Sequence, residues 1–202
     1  MKIDIKDVLF WMDAIRNSND RYRTLESFWK GQVRSKVWLI DRLKTCSFNT
    51  VSHNIVIHGG WNGVLASLLF NSDLIVNSIV SVDIDPVCKE IASTVNKRQE
   101  MDGKFTAVTC DMAEYKYERT PTLVINTSTE HVTDEKLQTW FNNIPHGSLV
   151  ALQSNNYFDL DEHINCVSSP TELAKKVPIK VLDMSEFETP KYKRFMVIGH
   201  KL

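Results

Sequence analysis

HNIVIHGGWNGVLASLLFNSDLIVNSIVSVDID, residues 53–85, reads as strand, glycine turn, helix, strand and acid. The apolar run Ile55-Val56-Ile57 ends at Gly59-Gly60, and a third glycine follows at Gly63. Val64, Leu65, Leu68 and Leu69 then recur at helical spacing. The β-rich run Ile79 to Val82 ends on Asp83, 20 residues after Gly63. This is the layout of a nucleotide-binding half-unit in an open parallel sheet. The glycines let a ligand approach the backbone, and an acid at the end of the second strand can accept hydrogen bonds from ribose hydroxyls.

Two nucleotide chemistries fail on the spacing. If Gly59 opens G-x-G-x-x-G, Trp61 and Val64 occupy the later glycine positions, so the dinucleotide fingerprint is absent. A phosphate-binding P-loop needs Gly-Lys-Ser/Thr, and Gly63 is followed by Val64-Leu65. An adenosine ligand without a diphosphate remains, and S-adenosylmethionine is the obvious candidate.

On these residues the chain resembles the class I S-adenosylmethionine-dependent methyltransferases, whose first motif is a strand ending in acid-x-Gly-x-Gly-x-Gly. Aligned on Gly63, the first glycine is Gly59, Trp61 stands for the middle glycine and Ile57 for the acid. Gly60 is expected to supply the lost backbone freedom one position early. The resemblance implies S-adenosylmethionine as cofactor, with Gly59, Gly60, Trp61, Gly63, Asp83, Ile84, Asp111, Met112 and Asn126 as its contacts. Asp111 would bind the adenine amino group and the Met112 amide a ring nitrogen. It also implies a doubly wound seven-stranded α/β sheet, mostly parallel with its last strand inserted antiparallel. It covers residues 52–202 in order. Residues 1–50 are expected as an N-terminal helical cap and 51–202 as the cofactor-binding domain.

Along the rest of the chain, helices are expected over residues 4–17 and 25–43, separated by Asn17-Ser18-Asn19-Asp20. The first should carry Ile5, Val8, Trp11 (or Met12) and Ile15 on one side. Between Arg16 and Lys44 eight basic residues face three acids, with Trp29 and Trp38 among them. A solvated helix face with inward aromatics accounts for this better than an anionic-substrate site, yet it keeps nucleic acid as a competing partner. Asp85-Pro86 should cap a helix over 87–97. Strands are expected over 105–110, 122–125, 148–153, 179–183 and 195–200, and helices over 134–142 and from Pro170 to 176.

The fourth strand ends in Asn126-Thr-Ser-Thr-Glu130-His131, the most polar strand end of the chain. Family members place substrate-facing residues here. Glu130 and His131 could orient an acceptor or take its proton, and Tyr157, on the polar loop 154–165, is a third candidate for acceptor contact. Alternatively, Glu130-His131 merely opens a loop before a Thr133 cap. A zinc site of Glu130, His131 and His163 lacks H-x-x-x-H spacing, so no metal is expected. The nucleic-acid amino-methyltransferase signature Asp/Asn-Pro-Pro-aromatic is absent, which favours a small-molecule acceptor.

Composition bounds the remaining classes. The chain has 202 residues, 43% hydrophobic and 24% charged, with a net charge of -1. That balance argues against coating nucleic acid by charge alone. No apolar run approaches the ~20 residues a spanning helix needs, so no membrane partner is expected. Asp4 and Asp7 argue against a secretory signal. The four cysteines make no C-x-x-C pair, which fits a reducing cytoplasm. Oligomeric state is not legible. Two rival functions keep the fold: aminopropyl or aminocarboxypropyl transfer from a related sulfonium donor, and a non-catalytic interaction subunit.

Overall fold

The computed structural model describes residues 1–46 and 50–202; residues 47–49, within the segment expected as a helical cap, lie outside the described residues. Seven strands form one sheet in the order β3-β2-β1-β4-β5-β7-β6. They are β1 (His53–His58), β2 (Val76–Asp83), β3 (Phe105–Thr109), β4 (Leu123–Asn126), β5 (Leu149–Asn155), β6 (Ile179–Glu188) and β7 (Lys193–Lys201). β1 pairs parallel with β2, β2 with β3, and β4 with β5, whereas β7 runs antiparallel to both β5 and β6. The expected sheet, with its inserted antiparallel strand, is the one observed. The chain divides into two compact units, Met1–Asp111 and Met112–Leu202.

The first unit holds β1 to β3 and six helices: α1 (Ile5–Asn17), α2 (Arg21–Glu26), α3 (Lys30–Thr45), α4 (Val64–Phe70), α5 (Pro86–Val95) and α6 (Lys97–Met101). Its core residues include Leu39, Ile40 and Leu43 of α3, Ile55 and Ile57 of β1, Leu69 of α4 and Ile79 of β2, all 0–1% exposed. The single helix expected over 25–43 is two. Asp20 caps α2 by accepting the Arg23 N–H at 2.9 Å, so this helix starts early. The Ser27 hydroxyl then bonds the Thr24 carbonyl, and Trp29 is extended (φ -60°, ψ 149°) before α3 begins. Trp29 is 47% exposed and stands edge-on to Tyr22, so it does not pack inward as expected.

The face expected of α1 also differs. Ile5 is 70% exposed, and the buried positions are Asp7 and Ala14. Polar demand sets this face. Arg98 donates to both Asp7 carboxylate oxygens at 2.9 and 2.7 Å, and Asn71 donates to Oδ2 at 2.7 Å. Trp11 follows the same pattern by donating its indole N–H to Ser67 at 3.0 Å.

The second unit holds β4 to β7, a 3-10 turn (Thr129–His131), α7 (Asp134–Asn143) and α8 (Pro170–Lys175). Trp140 and Phe141 of α7 pack with Val150 and Leu152 of β5, Leu173 of α8, and Phe195 and Val197 of β7. Each such side chain contributes about 1.5–3 kcal/mol by leaving water. Thr133 caps α7 through the Lys136 N–H, and Ser169 caps α8 through the Glu172 N–H. The Glu172 carboxylate returns a bond to the Ser168 N–H at 2.7 Å. Lys201 donates to the carbonyls of Asn142 and Ile144 at the end of α7. β5 runs two residues further than expected, to Asn155.

Candidate functional site

The glycine turn sits between β1 and α4 and is bolted to β2. Gly59, Trp61 and Gly63 all have positive φ, at 62°, 47° and 72°. Gly60 does not supply the backbone freedom that the middle position needs; Trp61 takes the left-handed conformation itself. That costs a bulky residue about 1–3 kcal/mol. The Trp61 N–H donates to Asp83 Oδ2 at 2.8 Å, a charge-assisted bond that offsets part of the strain. Gly60 is required for another reason: its N–H donates to the Val82 carbonyl, and a Cβ there would lie 2.0 Å from the Ser81 hydroxyl oxygen.

Gly63 opens α4 at its left-handed φ, where a Cβ would meet Asn96 Nδ2 at 2.6 Å and Ala92 Cβ at 2.9 Å. Asn96 holds that approach by donating to the carbonyls of Gly63 and Ala92. Gly63→Ala should therefore lower the unfolding free energy by about 2–4 kcal/mol, the sum of a left-handed non-glycine and an overpacked contact. Urea denaturation would show this as a reduced midpoint with an unchanged slope.

Asp83 ends β2 opposite Thr109 of β3. Its two oxygens accept one backbone N–H each, Trp61 on Oδ2 and Asp85 on Oδ1. Each carboxylate oxygen keeps a further lone pair for a hydroxyl. Asp85 caps α5 by accepting the Val87 N–H at 2.9 Å, as expected. It also accepts Arg23 at 2.6 Å. The Arg23 bond, aided by the Val87 amide, holds the Asp85 carboxyl below its ordinary pKa. Arg23 thus ties α2 to the carboxyl end of β2. Nearby Cys88 has its thiol pushed up to about 12 by burial and by the charges of Asp83 and Asp85, so it is a packing residue and no nucleophile. Ile84 is 63% exposed beside Asp83. Asp111, two residues past the end of β3, is half-buried.

Sequence reasoning missed two side chains in the turn. Asn62 is 2% exposed, and neither its Nδ2 nor its Oδ1 has a hydrogen-bond partner among the described residues. A buried amide with both ends unpaired costs stability and points to a bound group. His58, at the end of β1, is fully buried, and burial lowers its pKa to about 3, so its ring is neutral. The signal for Asn62 was its position between two residues of left-handed geometry; no periodicity marks it.

In the second unit, Asn126 ends β4 fully buried. Its Oδ1 accepts the Ser128 N–H at 2.9 Å and its Nδ2 reaches the Met112 sulfur at 3.5 Å, so these two expected contacts touch each other. Glu130 is 3% exposed. Its Oε1 accepts Asn155 Nδ2 at 2.6 Å and lies 3.6 Å from Arg194. Arg194, itself buried, donates to the Thr127 carbonyl. His131 is exposed beside it. Tyr157 stacks on Tyr192 with centroids 5.1 Å apart and stands edge-on to His163. His131 and His163 meet edge to face at 4.8 Å. The structure thus gathers Glu130, His131 and Tyr157 around His163, which the sequence placed only on a long loop.

Asn165 makes that gathering. Its N–H donates to the Glu130 carbonyl at 2.9 Å, and its amide donates to Val132 and Asp134. Lys176 completes the clasp by donating to Asp134 and Asn165, and its hydrogen bond lowers the Asp134 pKa. All four cysteines are free thiols. No helix among the described residues is long and apolar enough to cross a membrane.

No protein-family model and no curated protein sequence matches this chain. Solved structures do. The N-methyltransferase NodS from Bradyrhizobium japonicum WM9, in complex with S-adenosyl-L-homocysteine, aligns over 95% of this chain and 98% of its own at 11% identity, TM-score 0.68. Magnesium protoporphyrin IX methyltransferase (ChlM) from Synechocystis PCC 6803, with bound SAM, aligns over 96% and 90% at 12% identity, TM-score 0.65. MtNAS, in complex with MTA and tNA, aligns over 97% and 70% at 13% identity, TM-score 0.62. Sheet order, the inserted antiparallel strand and these alignments agree: the chain has the Rossmann-like fold of the class I S-adenosylmethionine-dependent methyltransferases.

Proposed function

We propose that the chain binds S-adenosylmethionine and transfers its methyl group to a small-molecule acceptor. The observation that carries this reading is the turn of Gly59, Trp61 and Gly63, held at positive φ and clamped by its own amide to Asp83. The residues present fit the ligand. Asp83 retains lone pairs for two ribose hydroxyls, exposed Ile84 offers an apolar surface to a base, and Asn62 offers an unpaired donor and acceptor to the amino-acid end. Gly59, Gly60 and Gly63 keep the backbone open to close approach, and Asp111, Met112 and Asn126 are proposed as the remaining contacts. The helical segment 1–50 is proposed as a cap, supported by the Arg23–Asp85 ion pair at the end of β2.

When bound, the sulfonium supplies an already activated methyl group, so the protein's work is alignment. Arg23 and Asp85 steady the ribose-binding strand end. Glu130, His131 and Tyr157 are proposed as acceptor-side residues that orient the incoming oxygen or nitrogen. Small-molecule acceptors are favoured because the structural neighbour ChlM is named for a small-molecule acceptor, magnesium protoporphyrin IX, and the chain lacks a strongly basic balance. The basic helices offer nucleic acid less: Arg23 is committed to Asp85 and Lys44 to Asp73.

Asn62→Ala separates a ligand-binding amide from a structural one. Removing an unpaired buried amide should leave stability unchanged or raised, while affinity for S-adenosylhomocysteine falls about 10-fold, the worth of one good hydrogen bond. Calorimetric titration alongside thermal melting reads both; lower stability with intact affinity would remove Asn62 from the site.

Transfer of an aminopropyl or aminocarboxypropyl group is the second reading. It is favoured by Trp61, whose side chain occupies the position of the family's middle glycine. Product analysis after incubation with donor and an acceptor library decides between them. Methyl transfer leaves S-adenosylhomocysteine; transfer of the longer group leaves methylthioadenosine.

A further inference from the structure

We infer that Glu130, His131 and His163 form a binding site for one divalent transition-metal ion of the zinc class. One ligand atom from each of the three comes within 4.8 Å of the other two. Zinc bound at 2.0–2.2 Å holds its ligands about 3.3 Å apart in a tetrahedron. The three ligand atoms must therefore draw together by up to about 1.5 Å when an ion binds.

Three features separate this cluster from chance proximity. First, both rings are oriented by the backbone. His131 Nδ1 lies 3.0 Å from the Glu162 carbonyl, and His163 Nδ1 lies 2.8 Å from the Tyr157 carbonyl. A carbonyl oxygen only accepts, so each Nδ1 donates its N–H there and Nε2 is the ring atom left to face an ion. This is the tautomer and the supporting bond that metal-ligating histidines use. Second, Glu130 is buried with one oxygen engaged by Asn155 and the other, Oε2, without a hydrogen-bond partner among the described residues. A buried carboxylate oxygen left unpaired is costly unless a cation or donor meets it. Third, the loop carrying His163 is tied to the turn carrying Glu130 and His131 by Asn165, so the three ligands are held together before any ion arrives.

Two imidazoles and one carboxylate select the ion. Magnesium and calcium prefer oxygen-rich sets, whereas zinc, cobalt and nickel suit imidazole. Arg194, 3.6 Å from Glu130 Oε1, offsets part of the carboxylate's charge and is the adverse element of the site. Three protein ligands leave at least one coordination position open. On the reading that this chain transfers a methyl group, that position would take the acceptor's oxygen or nitrogen; metal binding itself does not depend on that reading.

The test is titration of tag-free, chelator-treated protein with Co²⁺, followed by its visible absorption and by displacement with Zn²⁺. One Co²⁺ per chain is expected, without the charge-transfer band a thiolate ligand would give. In the unaltered protein, paramagnetic broadening should strike the ring signals of two of the six histidines. Affinity should fall by at least about 10-fold in both His163→Ala and Glu130→Gln. No saturable Co²⁺ binding, broadening spread over other histidines, or unchanged affinity in both variants would overturn the site. Titration of the same samples with S-adenosylhomocysteine keeps the two readings apart: bound Co²⁺ without nucleoside binding leaves the metal site standing and removes methyl transfer.

Discussion

Asp83→Ala is expected to weaken S-adenosylhomocysteine binding by about 100-fold or more, because hydrogen bonds to a charged group are worth about 1.5–3 kcal/mol each and two ribose hydroxyls would lose theirs. The side chain also organises the turn. It accepts the Trp61 and Asp85 N–H groups, so its loss frees a tryptophan held at φ 47° to relax away from the ligand. Asp83→Asn should fall between the two proteins: the amide keeps one acceptor oxygen but loses the charge. Calorimetry reads the affinities, and far-UV circular dichroism verifies that the fold survives. Unchanged affinity in Asp83→Ala would remove this residue from the ribose position.

A large effect on stability is expected at Asp7. Its carboxylate is fully buried and accepts bonds from Arg98, Asn71 and Gln99. Breaking a buried pair costs about 3–5 kcal/mol, and because Arg98 is partly exposed the lower end, about 3 kcal/mol, is expected for Asp7→Ala. The pH dependence follows from the same contacts. Burial pushes the Asp7 pKa up, but the bond from Arg98, the bond from Asn71, the Arg98 charge and the bond from Gln99 together outweigh it and leave the carboxyl below 3.8. A group whose pKa is lowered on folding stabilises the fold above its ordinary value and loses that contribution as pH falls through its folded value. The stability gap between the unaltered protein and Asp7→Asn should therefore be full at neutral pH and shrink below about pH 4. Urea midpoints across that range measure it; a gap independent of pH would mean the carboxylate's charge contributes nothing.

Sheet architecture was legible because each signal was local and redundant. Apolar runs of strand length ended at Gly59, Asp83 and Asn126, and caps at Asp85 and Thr133 marked the helices that follow. Beyond the local break between α2 and α3, the misread positions are those where a distant partner decides. Nothing in the spacing of Ile5, Val8 and Trp11 indicates that Asp7 turns inward, because its partner Arg98 lies 91 residues away. Gly60 shows the same limit: its need is a close approach to Ser81, which no neighbour in sequence reveals. In the second unit, His163 belongs with His131 because of Asn165, a contact over 33 residues to Val132 that periodicity cannot carry. Asn62 was passed over since an asparagine in a turn is ordinary; burial with both amide ends unpaired is what sets it apart.

Whether this fold works as a nucleoside-binding enzyme rests most directly on calorimetric titration of the unaltered protein with S-adenosylhomocysteine. The arrangement of Gly59, Trp61, Gly63 and Asp83 predicts saturable binding of one molecule per chain. Absence of binding at millimolar ligand would contradict it, and would mean that the tryptophan in the turn has closed the pocket and left an interaction subunit on a methyltransferase fold.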